Sequence, residues 1–161
     1  MPSTMILRRI IMMNNKIRAK EYLMQGYRLK ERIRMHQDSI EELRSLSMSV
    51  GSPSLEPHYN PNRPTEAPFE RLLCKIYDME EEHTRMLDRL LTFKKEATEA
   101  IKKIPNQDER LILHYRYINN WSFADIGEKL SVDRHTVMRW HDKALAKFEI
   151  PQNPTIIGGE L

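Results

Sequence analysis

Cysteine occurs once in the 161 residues, as Cys74. A disulfide framework within one chain is therefore impossible, and a structural zinc site built from several thiolates is excluded. Cys74 lies in an apolar stretch, so it is expected to be a small buried hydrophobe in a reducing, cytoplasmic setting. Glycine is scarce, with five residues, and aromatics make up 7%. The glycine and β-branched runs that a nucleotide-binding sheet needs are missing. The longest apolar runs are only a few residues, far short of a membrane span, and no membrane partner is expected. Leu, Ile, Met, Glu, Lys and Arg are plentiful, which favours long helices and an all-α fold.

The chain opens Met-Pro-Ser-Thr-Met-Ile-Leu-Arg-Arg-Ile-Ile-Met-Met. Two arginines before a short apolar patch imitate a signal peptide, but Ile10–Met13 is too short for its apolar core and Asn14, Asn15 and Lys16 follow at once. Residues 1–15 therefore read as a flexible or weakly helical leader. Translation starting at Met12 or Met13 is a second reading.

From Lys16 to Met48, apolar or seam positions recur at steps of four and three: Tyr22, Gly26, Leu29, Ile33, His36, Ile40 and Leu43. That spacing predicts one long helix with a coiled-coil-like seam, weakened at Gly26 and His36. Residues 50–67 carry a proline density that no helix survives and predict an exposed loop. A second long helix is expected from about Pro68 to Ile104, with its stripe on Phe69, Leu72, Leu73, Ile76, Met79, Met86, Leu87, Leu90, Phe93, Ala97, Ile101 and Ile104. Two such helices should pair as an antiparallel hairpin over residues 16–104, serving homodimerisation or partner contact. Pro105 sets the expected boundary, and residues 150–161, with Pro151, Pro154, Gly158 and Gly159, read as a flexible tail.

Charge is unevenly spread. Residues 1–49 hold 10 Lys+Arg against 5 Asp+Glu, residues 50–105 hold 9 against 10, and residues 106–161 hold 7 against 8. The basic excess thus lies at the N-terminus. Arg28, Lys30, Arg32 and Arg34 are expected to be solvated or to pair with Glu80–Glu82, in preference to touching phosphates.

The segment 106–149 has a different organisation. Asp108–Tyr117 predicts a first helix, with its acidic pair in the opening turn and Asn119-Asn120 ending it. Ser122 is an N-cap candidate for a short helix to Leu130, and Asp133 for a third helix from Arg134 to about Phe148. Between them Ser131-Val132 makes a tight turn, with Val132 as buried anchor and Gly127 leaving room for the helices to cross. A helix enters the major groove only when a preceding helix braces it across such a turn. In the third helix Val137, Trp140, Ala144, Leu145 and Phe148 share a core face, leaving Arg134, His135, Thr136, Met138, Arg139 and Lys143 as candidate contacts to double-stranded DNA.

Phe123–Val137 followed by Lys143–Phe148 resembles the fourth-region helix-turn-helix of bacterial sigma factors, and Asp108–Tyr117 resembles that region's first helix. The whole layout, a charged helical hairpin with a Pro/Ser-rich loop before a sigma-like domain, resembles phage and prophage late transcriptional regulators of the autolysin-regulator type. The resemblance implies sequence-specific DNA binding, regulation of transcription and contact with RNA polymerase. It places base contacts on Arg134, His135, Thr136 and Arg139. Three depart from the sigma pattern: His135 stands for an acidic residue, Thr136 for a basic one and Arg139 for a glutamine. Arg139 suits a bidentate contact with guanine, so a site other than the usual promoter element is implied. Ser131 replaces a glycine common in that turn, which costs strain if the position needs positive φ.

Alternatives remain: a phage terminase small subunit recognising packaging-site DNA, or a helical interaction protein that binds no DNA. The six histidines show no metal-ligand clustering, and His36 and His83 are expected to face one another across the hairpin as register-setting polar residues. No nucleophile, carboxylate pair or phosphate loop is recognisable, so neither catalysis nor a cofactor is expected.

Overall fold

A computed structural model of the chain describes residues 3–50 and 67–155. Helix α1 spans Ser3–Val50 and α2 spans Ala67–Lys102. After a short connection come α3 (Gln107–Leu113), which runs on into a π-helical turn (His114–Ile118), α4 (Phe123–Leu130) and α5 (Arg134–Lys147). The described residues contain no strand, and the fold is all-α, with a long antiparallel helix pair followed by three shorter helices. None of the described helices is long and apolar enough to cross a membrane.

Two boundaries differ from the sequence reading. Helix α1 begins at Ser3, so the leader expected over residues 1–15 is helical for most of its length. Nothing in Thr4–Asn15 breaks a helix, since the only nearby proline is Pro2. The tail expected over residues 150–161 is anchored at its start. Ile150 packs on the core, and Thr155 donates to Glu96 from both its N–H (3.0 and 3.2 Å) and its hydroxyl (2.8 Å). Most of the expected Pro-rich loop (50–67) and the last tail residues lie outside the described residues.

The chain divides into two compact units, and the division does not fall at Pro105. The first unit is Met1–Lys30 with Arg89–Leu161, and the second is Glu31–Asp88. In the first unit Ala19, Tyr22 and Leu23 of α1 share a core with Phe93, Ala97, Ala100, Ile101 and Ile104 of α2. Leu113, Tyr117, Ala144, Leu145 and Phe148 complete it. The helix pair is therefore part of the three-helix domain's own core. Gly26, read as a weak point of the seam, is instead where the Phe93 ring seats. A Cβ there would collide with the ring, and Phe93 is fully buried. The Tyr22 ring lies 5.3 Å from that of Phe93 and 5.9 Å from that of Phe148. Its hydroxyl donates to Glu96. Burial pushes the Tyr22 phenol far above its ordinary range, reinforced by the Glu96 carboxylate. Partial burial works against the Glu96 charge, but the hydrogen bonds from Tyr22 and Thr155 prevail and hold its carboxyl below the usual range.

In the second unit the seam holds Ile33, Ile40, Ile76 and Met86 buried. His36 and His83 meet as expected, their rings stacked at 6.0 Å, although each Nδ1 is buried without a hydrogen-bond partner. Arg44 pairs with Glu80, Arg85 with Glu81 (2.6 Å), and His36 lies 3.5 Å from Glu82. Cys74 is exposed, against expectation, as are Leu73 and Leu87. An apolar stretch wider than the buried stripe leaves its flanking members in solvent.

Candidate nucleic-acid interface

Each of the three short helices begins with a side-chain cap. Asn106 Oδ1 accepts from the Glu109 N–H at 3.0 Å. Ser122 and Asp125 form a reciprocal capping box, the Asp125 N–H donating to Ser122 Oγ at 3.1 Å and the Ser122 N–H to Asp125 Oδ2 at 3.0 Å. Asp133 Oδ1 accepts from the Thr136 N–H at 3.0 Å. Caps of this kind are each worth about 1 kcal/mol, and here they fix where the turn starts and stops.

The turn between α4 and α5 is tight. Ser131 has φ 55° and ψ 40°, a left-handed conformation that a glycine adopts without strain. The Val132 N–H donates to Gly127 O at 2.9 Å. A Cβ on Gly127 would stand 2.8 Å from Val132 O, so glycine is needed first by the turn's own backbone, and only then by the approach of Val137 at 3.6 Å. Beneath the turn, Ile112, Ile126 and Val137 are fully buried, with Val132, Phe123, Leu130 and Trp140 packed against them. Trp140 is thereby a core residue. Trp121 stacks on Tyr115 at 4.7 Å.

Behind α5 lies a buried polar pair that the sequence reading missed. His141 is 5% exposed, and its Nε2 is hydrogen-bonded to the Tyr117 hydroxyl at 2.9 Å. The Phe123 ring meets it edge-on at 5.0 Å. Burial pushes the His141 pKa down to about 4, against the pull of Asp142 and with the help of Arg116 and Lys20. His141 is thus neutral at pH 7. Burial likewise lifts Tyr117 to about 12. Its position four residues after Val137 and four before Leu145 put His141 on the core face, which was the available signal. Glu109 lies in the first turn of α3, where the helix dipole favours an acidic residue. It is buried, and both its oxygens accept from Lys147 Nζ at 2.8 and 2.9 Å, tying the start of α3 to the end of α5.

Of the residues expected to face DNA, Arg134, His135, Met138, Arg139 and Lys143 are exposed together on α5. Thr136 is half-buried, and its hydroxyl donates to Asp133 Oδ2 at 2.5 Å, so it serves the helix cap. Those Thr136 hydrogen bonds, side chain first, hold the Asp133 carboxyl below its usual range. Asp142 shares the exposed surface of α5, so that face carries a carboxylate as well as cations.

Such an arrangement presents a charged helix face, braced by a rigid turn, at the width a major groove admits. No curated protein and no solved structure matches the chain. Residues 106–148, which hold α3, the π-helical turn, α4 and α5, match the family described as Sigma-70, region 4, and form a sigma-like helix-turn-helix of the DNA-binding kind.

Proposed function

We propose that this protein is a sequence-specific DNA-binding regulator of transcription, encoded by a phage or prophage, with α5 as its reading helix. The observation that carries the reading is the exposed set Arg134, His135, Met138, Arg139 and Lys143 on a helix whose entry is fixed by the Ser131 turn and the Asp133 cap. Arg139 is suited to guanine through two parallel donors, while Met138 offers apolar contact to a thymine methyl. The Sigma-70 region 4 match supports duplex DNA as the ligand, and contact with RNA polymerase belongs to the same proposal. So does a homodimer, which the exposed Met35, Leu46, Met48, Leu73 and Tyr77 of the second unit support. The role is regulation by binding, with no catalytic step.

The test is selection of the full-length protein against random duplexes at low salt, followed by sequencing. An enriched motif is the expected result. Failure to retain any duplex would overturn the reading.

A further inference from the structure

The segment that carries the reading helix has too little net charge to hold DNA alone. Residues 106–161 carry 7 Lys+Arg and 8 Asp+Glu. Non-specific affinity for duplex DNA comes from phosphates neutralised by cations, so those cations must lie elsewhere. The compact unit that contains the helix-turn-helix supplies them, because it also contains the first thirty residues of the chain. These hold 7 Lys+Arg against a single acid, Glu21.

Position along α1 narrows the choice. Lys16, Lys20, Met24 and Tyr27 are spaced four, four and three residues apart, and so share one face. Met24 and Tyr27 line a crevice of about 280 Å³ together with Arg116, Tyr117, Asn120 and Ser122. Ser122 caps α4, and in a helix-turn-helix the first helix of the motif crosses the phosphate backbone. Lys20 and Lys16 continue that face of α1 from the crevice toward the helix N-terminus. Lys20 is exposed and Lys16 half-buried, and neither forms an ion pair among the described residues.

Resting on the DNA-binding reading above, we propose that Lys16 and Lys20 of α1 contact the DNA phosphates flanking the bases read by α5. The helix pair then contributes affinity directly, and α5 contributes the choice of sequence. Arg18 provides an internal control, since two residues place it about 200° round the helix from Lys20.

Anisotropy titrations of the full-length protein on its selected duplex, repeated over a range of salt, test this. Lys16→Gln/Lys20→Gln is expected to lower the slope of log K against log salt by about 1.8, at about 0.9 per lost phosphate contact, with base preference unchanged. Lys20→Gln alone should give about half that drop, and Arg18→Gln none. An unchanged slope in the double variant, or an equal drop per charge in Arg18→Gln, would overturn the proposal. If the slope held while sedimentation showed altered self-association, the lysines would instead belong to a contact between copies of the chain. If wild type bound no duplex at all, the DNA-binding reading itself would fail, a distinct result.

Discussion

The two compact units are built around stretches of the same two long helices yet carry opposite charge. The first unit holds 19 Lys+Arg against 11 Asp+Glu, net +8, and the second holds 7 against 12, net −5. Each unit pairs some of its cations, Arg44 with Glu80 and Arg85 with Glu81 in the second and Lys102 with Glu99 and Lys147 with Glu109 in the first, while Lys16, Arg18 and Lys20 of the first form no ion pair among the described residues. Their cores differ as well. Phe93, Leu23 and Leu29 are fully buried in the first unit, while the second unit places two half-buried histidines in its seam. Charge counted by stretches of sequence makes the DNA-binding segment neutral. Charge counted by what packs together makes it strongly basic.

The largest expected effect tests the difference in packing. Phe93→Ala should cost about 3–5 kcal/mol in thermal or denaturant unfolding, because it empties the place that Gly26 leaves for the ring. Its counterpart in the second unit, His36→Leu/His83→Leu, should be neutral or stabilising, since it removes two buried ring nitrogens that lack partners. A double variant as damaging as Phe93→Ala would erase the distinction between the two cores.

Next in size is a pH effect that belongs to the first unit. His141 has a folded pKa of about 4 against an ordinary 6.5, so the unfolded chain binds the proton more tightly. Stability from this residue is complete above pH 6.5, falls as pH drops toward 4, and then levels off. The loss is about 3 kcal/mol at most. His141→Leu should flatten unfolding free energy against pH across that window. A wild-type profile flat from pH 6.5 to 4 would contradict the buried, neutral imidazole. A smaller change is expected at the turn, where Ser131→Gly should stabilise by about 1 kcal/mol by relieving the left-handed strain. A loss of stability would mean that the Ser131 side chain contributes more than its backbone costs.

Much of this was legible in the sequence. The seam residues Tyr22, Leu29, Ile33 and Ile40 are buried where the four-and-three spacing puts them, and the Ser122 and Asp133 caps stand where expected. Spacing reports the face of a helix, and caps are local, so both survive folding unchanged. What spacing does not report is the partner. Gly26 is understood only once Phe93 is opposite it, and Glu109 only once Lys147 reaches it. Thr136 matched the reading face by position but is held by Asp133. The union of residues 1–30 with the helix-turn-helix is a long-range packing event that no local pattern encodes.

The central claim, that α5 reads base pairs, is tested most directly by Arg139→Ala on the selected duplex and on a scrambled one. The account predicts a loss of about 1–3 kcal/mol on the selected duplex, little change on the scrambled one, and relaxed preference at a single base position. An equal loss on both duplexes would make Arg139 a phosphate contact and contradict the assignment of α5 as the reading helix.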